Sequence, residues 1–415
     1  MKAQYPSGND IFNTSNSYRI CTRCIMDTSD AEIIFDEDGM CNHCIKYDRV
    51  ISDLVYIGDD GRERLKKIIH KIKLESINKR YDCIIGLSGG VDSTYVAYLV
   101  KKKYGLRPLA VHVDNGWNSE IAVGNIERIV KKLDIDLYTE VINWDEFRRL
   151  QLAFLRSSTP DAEIPTDHAI VATLYRQAIK NDVRFIIGGS NYVTEQMIPR
   201  TWSHGHDDWK YIRTVNKRFG GMHLKTYPHY TFLEKTFYFP SHKKLEVVNI
   251  LNYLDFDKFR AIELMKSELG WVSYGGKHHE SIYTKFYQCY ILPNKFGADK
   301  RRSHLSCLLN SKKLTREEAL SEIQKPALDN ETLERDRVFV IKKLGITEAE
   351  FDTIMASEPK TTWDYPCDEM SPPFYADLFR KYVNFSANKI YYIRLAFNMS
   401  LIEFAKSFAR RLLRR

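Results

Sequence analysis

Apolar and polar positions follow two rhythms in the first half of the chain. Short apolar runs stand at 83–87, 109–113, 137–142 and 184–187. Each has strand length and lies between turn residues. Amphipathic stretches at 91–103, 118–133 and 166–181 separate them, and another at 62–78 carries Leu65, Ile68, Ile69 and Ile72 on one face. Strands alternating with helices predict parallel βαβ units and a sheet covered on both faces, an α/β fold. From about residue 196 this rhythm is lost. The last hundred residues read as helical: Thr315-Arg316-Glu317-Glu318 and Thr347-Glu348-Ala349-Glu350 are capping boxes, and Phe397, Leu401, Phe404, Phe408 and Leu412 form a helical stripe.

The pattern divides the 415 residues into an N-terminal segment (1–58), an α/β domain (62–235), an extension (236–310) and a helical region (311–415). The first boundary is a break at Gly58-Asp59-Asp60-Gly61. No window approaches the ~20 apolar residues of a membrane span. Residues 1–17 lack an apolar signal core, which points to the cytoplasm. The net charge of +8 is spread along the chain, a balance that acidic small molecules explain as well as nucleic acid does.

The first predicted strand ends in Ser88-Gly89-Gly90-Val91-Asp92-Ser93, and a helix follows. A small-residue loop opening a helix aims unpaired backbone N–H groups at one point, where the dipole also favours an anion. Glycines admit a phosphate to the backbone and the serine hydroxyls add donors. Asp92 fits such a site if it holds a magnesium ion that bridges phosphate oxygens. A plain tight turn is the alternative. Two further strand ends open on the same edge: Val113-Asp114-Asn115-Gly116, and Ile187-Gly188-Gly189-Ser190-Asn191 followed by Thr194-Glu195. Asp114 is placed to accept from an adenine amino group or a ribose hydroxyl. Gly188 and Gly189 let a base or phosphate approach the main chain.

Cys21-x-x-Cys24 and Cys41-x-x-Cys44 are separated by sixteen residues. This is the spacing of a four-cysteine zinc site, with Asp36-Glu37-Asp38-Gly39 as the intervening hairpin turn. Two disulfides would need an oxidising compartment. Four thiolates leave no open position, so the expected role is structural, and His43 is a weaker ligand candidate. The polar segment 201–209 holds His204, His206 and Asp207 and reads as a substrate-recognition loop, with metal binding as a lesser alternative. The 196–230 stretch reads as mobile and would shield a reactive intermediate from water. Lys295, Lys300 and Arg301 lie in a basic loop suited to the charge of a departing pyrophosphate. A solvated basic face is the bland alternative.

The Ser88–Ser93 loop resembles the PP-loop of ATP pyrophosphatases. Added to it are Cys21-Thr22-Arg23-Cys24-Ile25-Met26-Asp27-Thr28, Cys41-Asn42-His43-Cys44, Gly189-Ser190-Asn191 with Thr194-Glu195, Lys295-Phe296-Gly297, Asp299-Lys300-Arg301, His304-Leu305-Ser306 and the Thr315 box. With these the chain resembles bacterial N-acetyl sugar amidotransferases over nearly its whole length. The resemblance implies a Rossmann-like, adenine-nucleotide hydrolase-like domain behind a zinc ribbon. It implies ATP, Mg2+ and Zn2+, with Ser88, Gly89, Gly90, Asp92, Ser93, Asp114, Gly188, Gly189, Asn191 and Glu195 around the nucleotide. Asp92, Lys300, Lys295 and Arg301 would serve catalysis. The implied reaction converts the acetamido group of a nucleotide-linked sugar to acetamidino in surface polysaccharide synthesis. Ammonia would come from a separate glutaminase through a barrel-type subunit, both like those of histidine biosynthesis. A zinc-ribbon PP-loop enzyme of tRNA thiolation is the alternative.

Overall fold

The computed structural model describes residues 18–276 and 279–370. The predicted stripe from Phe397 to Leu412 lies outside the described residues. Five strands form one sheet: β1 (Cys83–Gly86), β2 (Pro108–Asp114), β3 (Asp136–Val141), β4 (Phe185–Gly188) and β5 (Glu246–Asn249). All pairs are parallel and the order is β3-β2-β1-β4-β5. Strands are therefore added outward from β1 in both directions. The switch in direction falls between β1 and β4, where open α/β sheets bind ligands.

Side-chain alternation fixes both faces. Cys83, Ile85, Ala110, Phe185 and Ile187 enter one apolar cluster. Their neighbours Ile84, Leu109, Val111 and Ile186 enter another on the opposite face. Helices α1 (Asn42–Leu54) and α2 (Gly58–Glu75) precede the sheet; α3 (Val91–Tyr98), α4 (Glu120–Leu133), α5 (Trp144–Arg156) and α6 (Ile164–Lys180) connect its strands. Leu65, Ile69 and Ile72 of α2, with Val96 and Ile126, cover the first face. Ala172, Tyr175 and Ala178 of α6 cover the second.

Three expectations need correction. The break at residues 58–61 is a helix start: Asp59 and Asp60 occupy the first turn of α2, where acidic side chains meet the positive end of the dipole. The sheet also continues beyond residue 235, because β5 pairs with β4. Finally, the 196–230 segment is packed. Trp202, Tyr211, Tyr227 and Tyr230 are all buried, and Trp209–Val215 is helical.

Two buried polar groups pin this segment. Glu146 of α5 accepts backbone N–H bonds from Lys225 (3.0 Å), Thr226 (3.0 Å) and Tyr227 (3.0 Å). His168 of α6 bonds through Nδ1 to the His206 carbonyl at 2.6 Å and accepts from Tyr230 N–H at Nε2. Those partners select the neutral tautomer, and burial holds its pKa down to about 3. Replacing Glu146 with Ala leaves three N–H groups without their acceptor, that of Tyr227 buried. Chemical denaturation should then show a loss of about 3 kcal/mol. Stability equal to the parent's would mean that the 225–227 backbone is not anchored this way.

Candidate functional site

The loop after β1 is built around Gly89. Its φ is +77°, and a Cβ there would lie 2.5 Å from the carbonyl oxygen of Ala122 in α4. Only glycine fits. The Gly89 carbonyl accepts from Trp271 Nε1 at 2.9 Å, and Val91 N–H donates to the Tyr274 hydroxyl at 3.2 Å. Residues 271–274 thus hold the loop from outside. Within it, Ser88 Oγ and Ser93 Oγ lie 3.1 Å apart, Gly90 N–H donates to Ser88 Oγ at 3.2 Å, and Ser88 N–H donates to Ser93 Oγ at 3.3 Å. These amides and hydroxyls can exchange their mutual bonds for phosphate oxygens.

Ser88 and Ser93 form one end of a cavity of about 420 Å³ at the carboxyl edge of the sheet. His112 and Asn118 line its β2 side. His112 Nδ1–H donates to the Leu87 carbonyl at 2.9 Å and Nε2 pairs with Asn118 Nδ2 at 3.1 Å. Burial holds the imidazole pKa below its ordinary value, so the ring is neutral.

Asp161, Glu163 and Asp167, around the start of α6, line another wall, and Gln288, Lys300 and His304 approach from the C-terminal part. Lys300 Nζ pairs with Glu163 Oε2 at 2.9 Å, and Gln288 Nε2 donates to the same oxygen at 2.8 Å. Burial disfavours the Lys300 charge, but Glu163 and Asp161 outweigh it and keep the ammonium charged well above its ordinary range. Burial also pushes the Asp161 carboxyl up, with Lys300 opposing. The cavity therefore joins a loop of amides and hydroxyls to a wall of acidic groups paired with Lys300.

The predicted site residues divide between this cavity and other places. Ser88, Ser93 and Lys300 line it. Asp92 packs against the end of β4, where a Cβ on Gly189 would lie 3.4 Å from its own Cβ. Glu280 is the carboxylate that lines the cavity near the loop. Asp114 turns back on its own loop, accepting from Gly116 N–H at 2.9 Å and Asn118 Nδ2 at 3.2 Å. Gly188 lies against the Asn249 side chain, whose Oδ1 would be 2.5 Å from a Cβ there. Asn191 caps the short helix Tyr192–Glu195, and Glu195 accepts from Asn191 N–H.

Two of the basic candidates lie elsewhere. Lys295 binds the end of the helix Glu348–Ala356, through the carbonyls of Ile354 and Ser357 and Ser357 Oγ (2.8 Å). Arg301 is paired with Asp299 at 2.7 Å and with the Lys325 carbonyl at 2.8 Å. Exposed helix-end carbonyls attract cations as phosphates do, which basicity alone cannot distinguish. Asp161, Glu163, Asp167 and Gln288 had not been singled out. The signal for the three carboxylates is the acidic, proline-flanked stretch Pro160-Asp161-Ala162-Glu163-Ile164-Pro165-Thr166-Asp167, whereas Gln288 has no such local signal.

The four N-terminal cysteines converge and are fully buried. Sulfur separations are 3.9 Å (Cys21–Cys44), 3.6 Å (Cys24–Cys41) and 3.8 Å (Cys41–Cys44). Four sulfurs about 2.3 Å from one zinc ion stand about 3.8 Å apart, so the set fits that ion. His43 instead pairs with Asp30 at 2.6 Å. The ribbon rests on the helix Lys300–Asn310: Ser306 Oγ accepts from Ile25 N–H at 3.2 Å, and Arg302 reaches Asp27 at 3.0 Å. Lys300 and His304, four apart on that helix, face the cavity, while Arg302, Ser306 and Asn310 contact the ribbon.

Residues 63–157 match the family model for NAD synthase, and residues 280–382 match that described as LPS biosynthesis protein WbpG-like, C-terminal domain. The chain is 27% identical over 141 residues to the uncharacterized protein MJ1599 of Methanocaldococcus jannaschii, covering 34% of this chain and 48% of that one. It is 29% identical over 109 residues to the tRNA-specific 2-thiouridylase MnmA of Chlamydia abortus, covering 23% and 30%. The chain thus spans about half or less of these curated relatives.

Among solved structures, the NH3-dependent NAD synthetase of Campylobacter jejuni is 20% identical with a TM-score of 0.25 and covers 32% of this chain and 58% of its own. The U34-tRNA thiolase NcsA of Methanococcus maripaludis, solved with its [4Fe-4S] cluster, is 16% identical with a TM-score of 0.33 and covers 78% and 89%. The strand order, the loop at the switch point and the NAD synthase match define a PP-loop fold of the kind found in ATP-using enzymes. The C-terminal match adds a WbpG-like domain.

Replacing Cys24 with Ser should remove zinc from the ribbon and lower the melting temperature by at least about 5 °C, read by metal analysis and thermal unfolding. A zinc-free variant melting with the parent would separate the ribbon from the stability of the fold.

Proposed function

We propose that this chain is a cytoplasmic, ATP-dependent amidotransferase that converts the acetamido group of a nucleotide-linked sugar to acetamidino in surface glycan synthesis. One observation carries the reading: a single cavity runs from the Ser88–Ser93 loop to the Lys300–Glu163–Asp161 cluster. It offers one end to a phosphate tail and the other to a polar acceptor. The WbpG-like match over residues 280–382 includes Gln288, Lys300 and His304, which supply part of that second end.

An amide carbon is a poor electrophile, and its oxygen a poor leaving group. In the proposed reaction the acetamido oxygen attacks the α-phosphate of ATP, and the bond to the β-phosphate breaks, releasing pyrophosphate. Ammonia adds to the carbon of the resulting O-adenylyl imidate. AMP departs with the former acetamido oxygen, and the amidine remains. Loop amides and the Ser88 and Ser93 hydroxyls hold the β and γ phosphates. Lys300 stabilises charge on the pyrophosphate. Magnesium would be met by Glu280, which lines the cavity, and by Asp92 once its carboxylate turns from the end of β4 toward the phosphates, and would neutralise phosphate charge. The remaining contribution is positioning in a water-poor cavity. Ammonia is assigned to a separate glutaminase and its barrel-type channel subunit, on the resemblance to N-acetyl sugar amidotransferases.

The MnmA match favours a second reading, tRNA thiolation. Sulfur transfer needs a cysteine or a cluster at the reacting carbon, and the described cavity lining contains no cysteine. Cys83 is buried in β1. Cys289 lies beside His279 at 3.8 Å, its thiol pushed up to about 11 by burial.

Incubation with ATP, ammonium and UDP-linked or CMP-linked N-acetyl sugars should release AMP and pyrophosphate only when the sugar is present. Release of ADP would remove the reading. Asp92→Asn should reduce turnover at least about a hundredfold with the melting curve unchanged. Near-parental turnover would take Asp92 out of the phosphate site.

A further inference from the structure

A second group of metal-ligating side chains lies behind the cavity wall. His204 and Asp208 come from the packed segment after β4, and Cys367 from the last described stretch of the chain. Asp208 and Cys367 are 1% and 0% exposed and His204 is 7% exposed. One nitrogen, one carboxylate oxygen and one sulfur from the three all lie within 4.8 Å of one another. His204 Nε2 is 3.1 Å from Asp208 Oδ2. In a tetrahedral zinc site with bonds of about 2.0 Å, an imidazole nitrogen and a carboxylate oxygen stand about 3.3 Å apart.

The surroundings fix these ligands in advance. Asp208 Oδ1 accepts from Tyr211 N–H at 2.8 Å, so the carboxylate cannot rotate freely. Asp368 N–H donates to Asp208 Oδ2 at 2.8 Å, and Lys210 Nζ donates to the Cys367 carbonyl at 3.0 Å. The strand of chain bearing Cys367 is thereby tied to the segment bearing the other two. Outer bonds of this kind orient metal ligands. A thiol, an imidazole and a carboxylate together suit zinc better than a hard cation, which prefers oxygen alone.

We propose that His204, Asp208 and Cys367 form a second zinc site of mixed ligands, with water in the fourth position. On binding, the Cys367 thiol releases its proton to solvent and coordinates as the thiolate. The Asp208 carboxylate exchanges its bond to His204 for the ion. The site staples residues 204–208 to the WbpG-like part of the chain. His204 also lines a small cavity with Asp161 and Ser203, and those two residues line the large one as well. The staple therefore backs the wall that carries Asp161. This inference is independent of the proposed reaction.

The full chain, purified from zinc-replete cells, should contain about two zinc ions. Cys367→Ser and His204→Gln should each contain about one fewer than the parent, whatever the occupancy of the four-cysteine site. X-ray absorption at the zinc edge of the parent needs no variant. One four-sulfur site and one single-sulfur site average about 2.5 sulfurs per zinc, against four for the ribbon alone. Equal zinc content in parent and both variants, or four sulfurs per zinc in the parent, would overturn the site.

Discussion

The lack of room at Gly89 is the constraint on which the site depends. With φ at +77° and the Ala122 carbonyl 2.5 Å from any Cβ, the chain after β1 can turn sharply and lie against α4. That close approach orients the Gly90 and Val91 amides and brings Ser88 beside Ser93. A larger residue would move the loop off α4 and away from Trp271, whose indole holds the Gly89 carbonyl. Under the proposed function, anion binding at this place would follow from backbone geometry, with the side chains refining it.

The helix Lys300–Asn310 transmits a second constraint. One face meets the ribbon and the other meets the cavity, so the four-cysteine cluster and the cavity share a structural element. The ribbon thereby abuts an element that also lines the cavity. It sets the position of Lys300, which is buried and paired with Glu163, and whose charge is maintained by that pairing. Burying an ammonium among carboxylates stabilises the fold weakly at best. Such an arrangement is suited to holding a cation at a fixed point beside a developing negative charge.

What the chain disclosed before its structure follows from range. The apolar runs that became β1 to β4, the small-residue loop and the paired cysteines are local patterns, and each was legible. The four-residue strand β5 was not, because Glu246 and Asn249 bracket only two apolar residues. Its place comes from pairing with β4 some sixty residues earlier. The acidic wall was missed for the same reason: Glu163 becomes meaningful only when Lys300 and Gln288 arrive from the distant C-terminal part. Lys295 and Arg301 looked equivalent to Lys300 in a basic stretch, but helix phase and nearby carbonyls send the three in different directions.

A structure with an ATP analogue whose α–β bridge cannot be cleaved tests the central claim most directly. The β and γ phosphates should lie within hydrogen-bonding distance of the Gly90 amide and the Ser88 and Ser93 hydroxyls, with the α–β bridge facing Lys300. A triphosphate bound elsewhere, with the bonds among Ser88, Gly90 and Ser93 unchanged, would contradict it.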